Sequence, residues 1–358
     1  MTVTDTPRKG HRGRPGPRPL HLPGGISLRV ERRALGVGVL LLALSLAMAV
    51  VLIGTGDFQI GPWDVVRTLL GNGTPAHDFI INDLRLPRVL VALLVGAALG
   101  MAGAVFQSVS RNPLGSPDVL GFGYGSAVGA LVVIILFHGS AGQVAAGALV
   151  GGLVAGLLVY LLAYKQGIHG YRLVLVGIGA SAMLIAVIQY LLTKAQLTEA
   201  TRAMVWLTGS LAGRDWAQVW PLLATCAVLF PLILGRSRAL RVIEMGDDAA
   251  YALGVRVERT RLLLMAAAIL LTTAASAAAG PISFVALAAP QLARRLTRSP
   301  GAGPLTGALM GALLLTVSDW ASQRAFGADQ LPVGVVTGLV GGVYLLWLLV
   351  TERKAGRI

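Results

Sequence analysis

Residues Arg85–Phe122, RLPRVLVALLVGAALGMAGAVFQSVSRNPLGSPDVLGF, decide the fold. Two arginines around Pro87 open the stretch, and no charge follows from Val89 to Ser110. It closes on Arg111 and the turn Asn112-Pro113-Leu114-Gly115-Ser116-Pro117. A helix this apolar has no face to show water, so lipid is its solvent. Gly96 and Gly100 stand four apart, which lets another helix come within backbone distance. The stretch predicts a packed membrane helix whose inner turn carries Asn112, Pro113 and Pro117.

Composition extends this to the whole chain. Of its 358 residues 55% are hydrophobic and 13% charged, against about 25% charged in water-soluble proteins. Mean hydropathy is +0.74. The chain is an integral membrane protein. Its formal charge of +14 sits in short clusters between apolar runs, the pattern of basic loops on one side of a bilayer rather than of a nucleic-acid-binding surface. Cys226, the one cysteine, excludes an intrachain disulfide framework and reads as a small buried hydrophobe.

Residues 1–33, rich in Arg, Pro and Gly, predict a disordered basic tail held in the cytoplasm. The transmembrane domain is expected over 34–351. Ala34–Gly54 reads as a retained first span, since no small-residue cleavage site follows it. Residues 55–84 are polar and predict an external loop. After the opening stretch come Val119–Phe137, Ala141–Ala163, Arg172–Thr193, Val219–Leu234, Leu262–Ala279, a shorter Ile282–Leu296, Leu305–Ala325 and Val333–Val350. Ten hydrophobic segments in all predict an all-α bundle. Small-xxx-small spacings at Gly125/Gly129, Gly147/Gly151, Gly307/Gly311 and Gly334/Gly338/Gly342 read as packing devices. If the amino terminus is inside, alternate connections hold 23 of the 30 Lys and Arg residues; both termini are then expected in the cytoplasm.

Catalytic motifs are missing. No Gly-Lys dipeptide occurs, so no Walker A loop can hold ATP phosphates, and there is no CxxC, no HExxH and no metal-ligand spacing. Energy for uphill transport would have to enter from a partner or an ion gradient. Ion-coupled carriers bury carboxylates or histidines at mid-membrane. Here the one acid well within a predicted span is Asp319, which reads as paired with Arg324, as capping a helix end, or as a relay.

The largest connection on the basic side is RSRALRVIEMGDDAAYALGVRVERTR, residues 236–261. Asp247 reads as the cap of a short helix beginning at Asp248, and Gly254 as its left-handed terminus. Leu240, Ile243 and Met245 precede it as a second apolar element. The pair predicts either a surface that a partner pushes against or a loop folded back on the bundle.

Five blocks carry a resemblance: Arg85-Leu86-Pro87-Arg88, NPLGSPDVLGF, EMGDDAAYALGV, GPISFVALAAP at 280–290 and LPVGVV at 331–336. In order and spacing they resemble the FecCD family, permease subunits of bacterial ABC importers for iron–siderophore complexes, vitamin B12 and haem. The resemblance covers about residues 34–350. It implies a ten-helix bundle like that of the vitamin B12 permease, with short cytoplasmic coupling helices at about 240–255. It also implies a second, paralogous permease subunit (or a second copy of this chain), two ATPase subunits that bind the ATP, and an extracytoplasmic binding protein. Met245, Gly246, Asp247, Ala249, Leu253 and Gly254 match the ATPase-coupling motif. Arg85 and Arg88 match arginines that dock the binding protein, a role suited to exposed charges, which steer encounter more than they add affinity. His169-Gly170-Tyr171 falls at the family's cytoplasmic mouth, where Tyr171 would close a gate or sit in the headgroup belt. The chain departs from the family pattern at Gln291, where many members have histidine, and at Gln323 and Gln330, so no third docking arginine is expected.

The expected function is that of a permease for ferric siderophore, of the catecholate type by the wording of EMGDDAAYALGV and QLPVGVV. Permeation of another chelate such as vitamin B12 or haem is the nearest alternative. An ion-coupled secondary transporter and a membrane anchor without transport are alternatives from other classes.

Overall fold

Seven helices among the described residues have the length and apolarity to cross a bilayer, and they frame the molecule. The computed structural model describes residues 19–22, 26–29, 32–56, 58–118, 120–164, 170–299, 301, 303–324 and 330–354. Two short strands, β1 (Pro19–Leu22) and β2 (Ile26–Arg29), pair antiparallel with Pro19 opposite Arg29. They fall inside the stretch expected to lack structure, where Leu20, Leu22, Ile26 and Leu28 supply the alternation a hairpin needs.

The helices then follow in order. They are α1 (Arg32–Gly54), α2 (Pro62–Leu69), α3 (Pro75–Asp78), a π-helical turn (Phe79–Arg85), α4 (Leu86–Ser110), α5 (Phe122–Ile135) and α6 (Ala141–Ala163). Beyond them lie α7 (Gly170–Lys194), α8 (Leu197–Leu207), α9 (Trp216–Gly235), α10 (Ser237–Glu244) and α11 (Asp247–Ala252). The last four are α12 (Val257–Ala279), α13 (Val285–Thr297), α14 (Pro304–Arg324) and α15 (Val333–Lys354). Residues 55–84, expected as an external loop, contain short helical elements. Pro62 and Pro75 open two short helices there, as proline does at a first helical turn.

The sequence predicts ten crossings, whereas seven helices qualify among the described residues. Phe122–Ile135 is apolar but shorter, and α15 is apolar over Val333–Trp347. α13 carries Pro290 inside it and ends on Arg294 and Arg295.

α4 is the axis of the bundle. It is buried on nearly all sides, packing against α12, α13 and α14. Glycine makes this possible. A methyl group at Gly96 would collide with the carbonyl of Gly311, one at Gly100 with that of Gly307, and one at Gly103 with that of Ala286. With no hydrophobic drive between helices in lipid, such backbone-to-backbone contact supplies the dispersion energy that holds them. α5 and α6 use the same device, Gly129 against Gly147 and Gly125 against Gly151. In α15 only part of the predicted glycine row is used within this chain: Gly334 lies on the Thr208 carbonyl, while Gly338 and Gly342 have nothing within 4 Å.

Residues 111–118 and 120–121 join α4 to α5 without regular helix, and 280–284 join α12 to α13. Gly121 lies against Ser181 in the middle of α7, and the Phe284 ring lies against Gly341 in the middle of α15. Both α5 and α13 thus begin about halfway along the bundle. Both start on a left-handed residue, Gly121 at φ 86° and Phe284 at φ 68°. Non-helical backbone at such depth is tolerated only where protein or a cavity satisfies it.

Candidate functional site

At one end of the bundle, α10 and α11 form a two-helix platform. Ile243, Ala250 and Val257 bury together beneath it with Val242 and Val255. Gly246, at φ 120°, makes the corner between the helices. Gly254, at φ 76°, ends α11, and the Val255 N–H reaches the Ala250 carbonyl at 2.9 Å. The predicted pair of short helices is present. Its outward side is apolar: Met245 is 72% exposed, and Tyr251 and Leu253 are exposed beside it. Ala249 is half-buried and Gly254 is exposed.

Asp247 is not a side-chain cap, because the cap position belongs to Gly246 and Asp247 is the first residue of α11. Its carboxylate instead accepts from two guanidiniums, Arg111 Nη2 at 3.1 Å and Arg261 Nη2 at 2.9 Å. Arg261 is 1% exposed and also donates to Glu258 at 3.2 Å. Ser108, in the last turn of α4, donates to Glu244 of α10. Nothing local in the sequence pairs Arg111 with Asp247.

The Asn112–Pro117 turn is built tightly. Arg111 takes a left-handed φ of 52°, the Asn112 side chain accepts from the Leu114 N–H at 2.9 Å, and Pro117 is buried. Gln291 Nε2 donates to the Pro113 carbonyl. Gln107 Nε2 donates to the Leu287 carbonyl at 3.0 Å. The departure noted at Gln291 is thus a structural tie to the turn. Of the three residues at the predicted mouth, His169 lies outside the described residues and Gly170 opens α7. Tyr171 is 82% exposed, so none of the described residues covers it.

Halfway along the bundle, Asp118 Oδ2 accepts from the Phe284 backbone N–H at 3.2 Å, tying one helix break to the other. Beside this tie lies a cavity of about 500 Å3 whose polar lining is Asp118, Tyr124, Gln189, Thr208, Ser276 and Ser283. Asp118 stands in the quoted NPLGSPDVLGF block, but only the re-entrant path reveals its depth.

At the opposite end the two flanking arginines are engaged within the chain. Arg85 donates from Nη1 to the Ile53 carbonyl and from Nη2 to the Phe58 carbonyl, each at 2.7 Å. Arg88 makes a two-pronged ion pair with Asp319, Nη2 to Oδ1 at 2.8 Å and Nε to Oδ2 at 3.2 Å. Asp319 is 0% exposed and takes a third bond, from Gln323 Nε2 at 3.0 Å. Its partner is therefore Arg88 and not Arg324. Both arginines are half-buried rather than projecting, and they line a polar pocket of about 210 Å3 with Thr55, Gln323 and Gln330. Nearby, burial lowers the pKa of Arg214 from the ordinary arginine value, against the pull of Asp215.

Apolar helices packed through glycine, a chain broken twice at mid-depth beside a polar cavity, and a platform at one end define a multi-pass membrane protein of the transporter class. Residues 40–351 match the FecCD transport family, and the chain belongs to that family. It is 46% identical over 328 residues to the ferric enterobactin transport system permease protein FepG of Escherichia coli K12, covering 91% of this chain and 98% of that one. It is 36% identical over 330 residues to the Fe(3+)-citrate import system permease protein YfmE of Bacillus subtilis 168, covering 92% and 98%. Among solved structures, an inward-facing conformation of a metal-chelate type ABC transporter superposes with a TM-score of 0.79. That match is 26% identical and covers 88% of this chain and 99% of that chain.

Proposed function

We propose that this chain is the permease subunit of an ABC importer that carries ferric siderophore, of catecholate type, across the cytoplasmic membrane. A second permease subunit, two ATPase subunits and an extracytoplasmic binding protein complete the assembly. The observation that carries the proposal is the α10–α11 platform, which exposes Met245, Tyr251 and Leu253 where the family resemblance implies the ATPase-coupling helices. The platform then faces the cytoplasm, as do both termini. α5, α13 and α15 complete ten crossings.

Transport follows from this arrangement. The binding protein docks over the Arg85–Arg88 end, where an acidic side chain entering the 210 Å3 pocket would meet both guanidiniums. ATP-driven closure of the ATPases moves the platform. The bundle then rocks about its partner and exposes the mid-depth cavity to alternate sides. Gly338 and Gly342 of α15, where an added methyl group would meet open space, suit close packing by the second subunit.

A proton-coupled carrier is the second reading, favoured by one observation: Asp118 is a carboxylate at mid-depth beside a cavity. The other intramembrane acid, Asp319, is committed to Arg88. Uptake of labelled ferric catecholates, ferric hydroxamates and vitamin B12 in a strain lacking this chain tests the proposal. Selective loss of catecholate uptake is expected, and loss of vitamin B12 uptake alone would overturn the siderophore assignment.

A further inference from the structure

We propose that Asp247 and its two arginines form the transmission link of this subunit, a clamp that makes the platform, α4 and α12 move together. The proposal rests on the functional reading above and goes beyond it by separating two faces of one short element. The outer face, Met245, Tyr251 and Leu253, is exposed and apolar and suits contact with another protein. The inner face holds Asp247, and that side chain reaches two different helices. Arg111, at the end of α4, approaches from one side at 3.1 Å, and Arg261, in α12, approaches from the other at 2.9 Å.

The burial of Arg261 makes the link stiff. A guanidinium 1% exposed has no water to turn to. If α11 swung away alone, Arg261 would give up its bond to Asp247 from a site where it is 1% exposed. The favoured course is for α12 to follow. Arg111 adds the second connection, and its left-handed backbone at φ 52° points the side chain back across the end of α4 toward α11. The Ser108–Glu244 hydrogen bond joins α10 to the same last turn of α4. α4 is in turn locked backbone-to-backbone onto α14 and α13. A push on the platform is therefore delivered to the most enclosed helices of the bundle. Asp247 is a positioning residue here, since it acts through Arg111 and Arg261 and touches neither cargo nor nucleotide.

The test uses the full complex, with both permeases, the ATPases and the binding protein, in proteoliposomes supplied with a ferric catecholate. With Asp247→Asn or Arg111→Ala, the ATPase subunits should still co-purify, while cargo moved per ATP hydrolysed should fall at least tenfold. Asp247→Glu should restore most of the ratio. Leu253→Asp, on the outer face, should instead abolish co-purification. An unchanged ratio in Asp247→Asn overturns the proposal. So does loss of co-purification in that variant, because Asp247 would then belong to the docking face. Hydrogen exchange on the isolated subunit in nanodiscs gives a measure independent of transport. In Asp247→Asn, protection should drop together in α11, the first turns of α12 and the last turn of α4. A drop confined to α11 overturns the clamp, even if the wild-type complex shows no ATP-driven uptake and the functional reading itself fails.

Discussion

Arg88 on α4 and Asp319 on α14 are joined by two charge-assisted hydrogen bonds, 2.8 and 3.2 Å long, and the carboxylate is wholly buried. The pair closes one end of the helix contact whose middle is sealed by Gly96, Gly100, Gly307 and Gly311. Removing only the arginine leaves a buried carboxylate with Gln323 as its remaining side-chain donor.

Arg88→Ala should therefore destabilise the subunit by about 3 kcal/mol, as breaking a buried ion pair does. The double replacement Arg88→Met with Asp319→Leu should recover most of that loss. Thermal unfolding in detergent checks both, and equal loss in the single and double variants would remove the ion pair from the stability argument.

Arg85 and Arg88 also bear on docking. If an acidic group enters the pocket they line, binding-protein affinity should fall as salt rises, and Arg85→Gln should flatten that dependence. Titration of the binding protein at low and at physiological ionic strength measures this. A salt dependence unchanged by Arg85→Gln would leave the arginine as a tie between the π-helical turn and residues 53–58 only.

Gly100→Leu should prevent α4 and α14 from meeting, since even a methyl group would collide with the Gly307 carbonyl. Overpacking typically costs about 1–3 kcal/mol, and backbone in the way puts this case at the upper end. Loss of folded subunit on size-exclusion chromatography is expected. Gly338→Leu should leave the isolated subunit as stable as wild type, because nothing lies within 4 Å of that position, yet weaken assembly with the second permease.

Asp118→Asn separates the two transport readings. Asparagine keeps an oxygen to accept the Phe284 N–H but cannot carry a proton. Uptake driven by ATP should survive the change with its rate within a few-fold of wild type. Abolished uptake, together with an intact fold by thermal unfolding, would favour proton coupling. Asp118→Leu, which removes the acceptor, should destabilise by about 1–3 kcal/mol, the cost of an unsatisfied buried N–H.

Gln291→Ala should cost about 1 kcal/mol, one hydrogen bond, and expose residues 112–116 to faster hydrogen exchange. Equal exchange in the variant would mean that Asn112 alone holds the turn.

The apolar runs, the glycine spacings and the pair of short helices were legible because each is written locally, as a period of three to four residues or a charge-rich gap. Polarity misled over residues 55–84, where prolines open short helices within hydrophilic sequence. α8 carried a signal that passes unseen in composition, a capping box of Gln196 with Glu199. The candidate site was less legible for a different reason. Asp247 has the residue type of a cap, and only the fold brings Arg111 and Arg261 to it. Arg88 and Asp319 lie on different helices far apart in the chain, so no local pattern connects them. Residues 112–117 read as a turn between two spans, because sequence gives the punctuation of a break but not its depth.

The helical rod that contains α4 runs from Pro75 to Ser110 without interruption, 36 residues in all. At 1.5 Å per residue it is about 54 Å long, and it exceeds the roughly 30 Å of the hydrocarbon layer. A tilt of about 5° about one end would move the other by about 5 Å over that length. The rod therefore has the reach of a lever arm, with the Asp247 clamp near one tip and Arg85 well along toward the other.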